Sequence, residues 1–151
     1  MYRRILVPVD GSATAARGLR EALRLAKDQH ALIRLVHVVD ETMILGTAEA
    51  GVDMGPLLAG LAKNGRALLQ RARRKAEKSG FRVETALYES VGAAAADAIL
   101  RDAKKWRADI IVAGTHGRRG VRRLVLGSDA EQIVRLSPVP VLLVRGPGAR
   151  S

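Results

Sequence analysis

Arg4-Ile5-Leu6-Val7-Pro8-Val9-Asp10-Gly11-Ser12 is the stretch that decides the fold. Its apolar run does not alternate with polar residues. A strand exposed on one face alternates, whereas a strand covered on both faces reads as continuous hydrophobicity. Asp10-Gly11-Ser12 ends the run with turn residues, and Ser12 suits the cap of a helix. Beyond it, Ala16, Leu19, Ala22, Leu23 and Ala26 fall on one helical face. Arg17, Arg20, Arg24 and Lys27 occupy much of the remainder.

The same unit recurs along the chain. Leu32 to Val39 reads as a second strand, Arg82 to Leu87 as a third, Asp109 to Ala113 as a fourth and Val139 to Val144 as a fifth. Helical periodicity covers about Leu57 to Ser79, with Leu58, Leu61, Ala62, Leu68, Leu69, Ala72 and Ala76 pointing inward, and Gly80 supplies a stop. Gly92 to Lys105 is alanine-rich and helical, and Ser128 to Arg135 forms a last helix. Residues 40–56 break the rhythm with Gly46, Gly51, Gly55 and Pro56. They predict a long loop, more mobile than the sheet, with room for a short helical turn. Five apolar strands alternating with helices predict one domain over residues 1–151: an α/β fold with an open parallel sheet covered on both faces. Pro140, near the start of the fifth strand, suits an edge position.

Ligands in such sheets bind beyond the carboxyl ends of the strands, where the strand order reverses. Asp10, Val38 and Gly114 all stand at strand ends. Gly114-Thr115-His116-Gly117 is followed, after nine residues, by Gly127-Ser128, the pattern G-x2-G-x9-G-S. A strand, a glycine-rich loop and a helix N-terminus are the parts of an anion cradle: glycine admits a phosphate close to the backbone, and the helix end offers unpaired N–H donors. Ser128-Asp129-Ala130-Glu131 also reads as a capping box. Within the nine-residue insert, Arg118 or Arg119 is expected to face phosphates, with Arg122 and Arg123 on the surface. Asp10 suits a ligand hydroxyl, a base amine or a metal, or else an Asx turn before Gly11.

Other chemistries find little support. His116 has no nucleophile or carboxylate at a recognisable spacing, and His30 and His37 complete neither a triad nor a metal cluster, so His116 reads as a loop residue beside the ligand. There is no G-x-x-x-x-G-K-[ST] loop and no G-x-G-x-x-G after the first strand, which argues against P-loop hydrolysis and nicotinamide redox chemistry. The chain has 151 residues, no cysteine and a formal charge of +11, with 26 basic residues of which six are lysine and twenty arginine. Such charge attracts polyanions, and an arginine-biased, soluble composition produces it equally well. Arg71-Ala72-Arg73-Arg74-Lys75 reads as a solvated helix face and lacks aromatic neighbours for base stacking, which weakens a single-stranded nucleic-acid reading; nucleic acid is not the expected partner. No apolar run reaches the roughly 20 residues of a membrane span, and the opening run is shorter than the roughly 7–15 apolar residues of a signal peptide. The simplest location is the cytoplasm.

With these residues in view, the chain resembles the universal stress protein family. Ile5 to Ser12, His37-Val38, the two glycine pairs and the closing Pro138-Val139-Pro140-Val141-Leu142-Leu143-Val144 carry the likeness. The resemblance implies a sheet of order 3-2-1-4-5. It implies ATP with adenine near Pro8, Asp10 and Val38, ribose near Gly114, and phosphates on Gly117, Gly127 and Ser128, with Mg or Mn accompanying them. It further implies a homodimer through the last strand, protein partners of unknown identity and a role in stress response or signalling without fast catalysis. Slow ATP hydrolysis or nucleotidyl transfer, and binding of nucleic acid or an anionic surface, are the rival readings. Asp129 departs from the small apolar residue common after the glycine–serine pair. A carboxylate there suits the helix dipole but repels phosphate unless a cation intervenes.

Overall fold

The computed structural model describes residues 1–45, 51, 53–115 and 126–146. Its five strands are β1 (Arg4–Pro8), β2 (Leu32–Asp40), β3 (Val83–Ser90), β4 (Ile110–Gly114) and β5 (Val141–Val144). All neighbours pair in parallel, in the order β3-β2-β1-β4-β5. The helices are α1 (Ala13–Lys27), α2 (Thr42–Leu45), α3 (Gly55–Lys78), α4 (Ala95–Trp106) and α5 (Ser128–Leu136). α2 is the short helical turn expected after the second strand. The rest of the expected mobile loop falls mainly on residues 46–50 and 52, outside the described residues.

The unbroken hydrophobicity of β1 has the expected cause. Ile5 and Val7 pack in one cluster with Ile33, Leu35 and Val112, beneath α1 and α3. Leu6 packs in the other with Val36, Ile111, Ile99 and Ile133, beneath α4 and α5. Successive side chains point to opposite faces, and both faces are covered.

Element boundaries shift where local chemistry overrides periodicity. On α1 the buried stripe is Ala15, Gly18, Leu19, Ala22 and Ala26, while Ala16 is exposed and Leu23 half-buried. The stripe is centred on Leu19 and Ala22, which draws in Ala15 and Gly18 one turn earlier. β3 runs to Ser90 because its pairing with β2 continues to Asp40. α4 begins only at Ala95, since Gly92 adopts a positive φ of 66°. α3 buries an unexpected glycine: a Cβ on Gly65 would lie 2.9 Å from both His37 Cδ2 and Leu87 Cδ1. Gly65 thus lets α3 approach the sheet at the level of His37.

A polar network sits between β2, β3 and α4. The Asp102 carboxylate is wholly buried and takes both Nε (2.7 Å) and Nη2 (2.9 Å) of Arg34. Tyr88 donates its hydroxyl to the same carboxylate at 2.5 Å. Glu84 accepts from Arg34 Nη1 at 3.0 Å and from the Trp106 indole at 2.9 Å, and Arg4 lies over the Trp106 ring. A buried charge persists where it is paired and hydrogen-bonded, and Asp102 meets both conditions.

Candidate functional site

The site begins with a missing donor. Residues of a parallel strand turn their backbone groups alternately to the two neighbours. Val9 N–H donates to Val36 O in β2 at 2.8 Å, and Arg4 O accepts from Asp109, just before β4. By that alternation residue 8 would donate toward β4, and Pro8 has no N–H. The recorded β1–β4 register accordingly ends at Leu6↔Ile111, although β4 goes on to pair with β5 through Gly114↔Val144. The C-terminal ends of β1 and β4, each still paired on its outer side, are not laddered to one another, at the point where the strand order reverses. This is the crevice that such sheets use for ligands.

The loop after β1 is anchored on the β2 side. His37, buried on β2, has its Nδ1 2.7 Å from Val9 O. A carbonyl only accepts, so Nδ1 carries the proton. His37 is therefore a positioning residue for the turn that holds Asp10, a role missed in the sequence. The mid-helix Gly65 against which it packs was the available signal. Asp10 itself forms the Asx turn: its Oδ1 accepts from Ser12 N–H at 2.9 Å. Ser12 caps α1 by accepting from Ala15 N–H at 3.0 Å.

Val38, half-buried, stands opposite Tyr88 in the β2–β3 register and faces the α4 side. Gly114 has a packing reason to be glycine, because a Cβ there would lie 2.7 Å from Thr14 Cγ2 and 3.0 Å from the Thr14 carbonyl carbon. Beyond it, Thr115 N–H donates to Val144 O at 3.0 Å, and Thr115 O accepts from Gly127 N–H at 2.9 Å. The last bond brings the two halves of the glycine motif together at the end of β4. His116, Gly117, Arg118, Arg119, Arg122 and Arg123 lie outside the described residues.

The capping box expected at Ser128 does not form. The cap residue is Gly127, in extended backbone (φ −61°, ψ 149°), and no side chain caps α5. Ser128 is already the first helical residue, so the pair is shifted by one and Glu131 stands four residues from the cap where the box needs three. Gly127 has a φ that any residue adopts, so backbone strain does not account for its glycine. The doubtful Asp129 turns elsewhere: its Oδ1 accepts from Ala96 N–H, in the first turn of α4, at 3.2 Å. Ala94, the cap position of α4, contributes no side-chain bond of its own. Gln132 adds a 2.7 Å bond to Asp97. Asp129 thus serves the α4 N-terminus, while among the described residues no side chain caps α5. Among the described residues no group of three His, Asp or Glu is placed to hold a metal.

The profile of the universal stress protein family matches residues 1–145. The chain belongs to the universal stress protein family. It is 33% identical over 148 residues to the universal stress protein MJ0531 of Methanocaldococcus jannaschii, covering 97% of this chain and 84% of that one. The solved structure of protein MJ0577 of the same organism superposes with a TM-score of 0.85 at 27% identity, over 99% of both chains. A universal stress protein from Archaeoglobus fulgidus, solved in complex with dAMP, superposes with a TM-score of 0.66 at 24% identity, over 95% of this chain and 98% of that one. The family membership and the Rossmann-like sheet agree with the strand order. Among the described residues no helix is long and apolar enough to cross a membrane.

Proposed function

We propose that this universal stress protein binds ATP in the crevice between β1 and β4, and that the bound nucleotide regulates its contacts with other proteins in a cytoplasmic stress response. The observation that supports it most is the closure of the glycine motif. The bond from Gly127 N–H to Thr115 O sets the α5 N-terminus at the end of β4, past the point where the β1–β4 ladder stops. Unpaired helix donors and the positive dipole end favour phosphate there. In this reading adenine lies near Pro8, Asp10 and Val38 and ribose near Gly114, with His116 beside the ligand and Arg118 or Arg119 toward the phosphates. The phosphates meet Gly117, Gly127 and Ser128. The second oxygen of Asp10 has no recorded partner among the described residues and suits a base amine or ribose hydroxyl. A relative solved with dAMP supports an adenine nucleotide as the ligand class. Magnesium or manganese would offset the repulsion between phosphates and nearby carboxylates. The role in this reading is that of a nucleotide-regulated partner, without fast hydrolysis.

Mass spectrometry of the purified protein, with calorimetry of ATP in the presence and absence of magnesium, tests the reading. ATP is expected to bind, more tightly with the metal. Gly127→Val is expected to abolish binding with the fold intact, since the backbone at residue 127 accepts a side chain but a phosphate cannot approach past it. No heat and no retained nucleotide under either condition would sink the proposal.

A further inference from the structure

The fold sorts the charge of the chain by face. α1 carries Arg17, Arg20, Arg24 and Lys27 against one carboxylate, Glu21. α3 carries Lys63 and Arg66, then Arg71, Arg73, Arg74, Lys75 and Lys78, against Glu77 alone. These two helices cover the same side of the sheet and together hold a net +9 of the formal +11, from eleven cations and two carboxylates. On the opposite side α4 has a net +1 (Arg101, Lys104 and Lys105 against Asp97 and Asp102) and α5 a net −1 (Arg135 against Asp129 and Glu131), which cancel. Arg24 and Arg73 are paired within their helices at 3.3 and 2.7 Å. The other nine have no carboxylate partner among the described residues. Cations in a last turn favour the helix dipole, which accounts for Arg24, Lys27, Lys75 and Lys78 and leaves the rest unexplained.

The cations form two rows. Residues 17, 20, 24 and 27 share the outward side of α1. Arg71 and Lys75 flank a groove of about 270 Å³ between the two helices, floored by Leu19, Leu68 and Ala72. At 1.5 Å per residue the α3 row extends about 22 Å. A duplex carries one charge per roughly 1.7 Å of axis, or about 13 charges over that length, against eleven cations here. Seven of the eleven are arginines, whose planar fork suits phosphate. Neither α1 nor α3 carries an aromatic side chain to stack on unpaired bases, and the half-buried Phe81 at their C-terminal ends packs into the core; Leu57 is the one large apolar residue of the two helices with half its surface exposed to enter a lipid interface. It also lacks an array of neutral polar side chains for base edges or 2′-hydroxyls. We propose that the α1–α3 face is a docking surface for double-stranded DNA, gripped through the phosphate backbone without sequence preference. Its groove reaches Gly11 and Ser12, beside the Asp10 turn, but the cations that would grip the backbone stand on α1 and α3 and none is a residue assigned to the nucleotide.

Fluorescence anisotropy of the full chain with a mixed-sequence duplex of about 20 base pairs tests this. With about six phosphates neutralised, the log–log salt slope is expected near −5, and affinity falls about a thousandfold between 50 and 200 mM salt. Arg20→Gln/Arg71→Gln/Lys75→Gln is expected to lessen that slope by about two to three. The matched change on the opposite side, Lys104→Gln/Lys105→Gln, should leave it nearly unchanged. All these side chains are exposed, and an unaltered thermal midpoint verifies folding. Saturating ATP is expected to leave the duplex bound. The proposal is overturned by no binding at 50 mM salt, by equal weakening in the α4 variant, or by displacement with ATP. Equal or tighter binding of single strands, duplex RNA or vesicles containing phosphatidylglycerol also overturns it.

Discussion

At the scale of single residues, Asp102 is the most demanding position in the chain. Its carboxylate is fully buried and is held by Arg34 and Tyr88. Removing one partner of a buried pair leaves the other charge uncompensated. Asp102→Ala is therefore expected to destabilise by about 3 kcal/mol, the lower end of the range for such losses, because Arg34 retains some exposure. Urea unfolding measures this, and Asp102→Asn, which keeps the shape and one of the two accepting oxygens, should cost less. The network also has a pH signature. Burial, followed by the hydrogen bond to Asp102, raises the Tyr88 hydroxyl above its ordinary range, and the bond to Asp102 raises Arg34 further. A raised folded-state value means stability that is complete below the unfolded tyrosine value of about 10 and is lost as pH rises beyond it. Stability contributed by Tyr88 should be flat through neutrality and decline in the alkaline range, and Tyr88→Phe should remove that part of the decline. None of this was legible beforehand. Asp102 sits in an ordinary alanine-rich helix, and only the sheet register places Arg34 and Tyr88 beneath it. Gly114 shows the converse: it was read as a ligand-facing glycine, and its contact with Thr14 supplies a reason in packing.

At the scale of elements, the rhythm of strands and helices was readable because continuous apolar runs and 3.6-residue stripes are strong local signals. The ends were less so. Ser128-Asp129-Ala130-Glu131 has the composition of a capping box, yet Gly127 takes the cap and Asp129 reaches across to α4. A local pattern cannot reveal a neighbouring helix whose own cap, Ala94, is deficient. Asp129→Ala is accordingly expected to cost about 0.5–2 kcal/mol, as loss of a helix cap does, with hydrogen exchange rising in the first turn of α4. Its effect on ATP separates the remaining roles. Calorimetry should show similar magnesium dependence in wild type and variant. Weakening seen only with magnesium would instead assign the carboxylate to the metal, and tightening in both conditions would mean that it opposes phosphate. The strand, glycine pair and helix start around Gly114 and Gly127 were visible as a motif, whereas Pro8 as the residue that ends the β1–β4 ladder emerges only from which way each backbone group points.

At the scale of the whole molecule, the two edges of the sheet are treated differently. β3, Val83-Glu84-Thr85-Ala86-Leu87-Tyr88-Glu89-Ser90, carries two carboxylates, a common means of discouraging further strand pairing. β5, Val141-Leu142-Leu143-Val144, carries none, and Leu142 is 40% exposed. Val134 and Leu136 on the adjoining α5 are exposed to 47% and 54%. An apolar edge of this kind invites uncontrolled pairing unless a partner covers it. A second copy related by a two-fold axis covers it with the same surface and closes the assembly. The protein is therefore expected to be a homodimer through β5, with a mass by light scattering twice the 16.2 kDa of one chain. Leu142→Arg is the direct test. It places a charge in the middle of the expected interface, where burial without a partner is costly, but on a side chain already partly in solvent in the single chain. It should yield a folded monomer with its sheet and helices intact, and ATP binding in the crevice beyond β1 and β4 should persist. A wild-type monomer at micromolar concentration, or a Leu142→Arg variant that remains dimeric, would place the contact elsewhere or remove it.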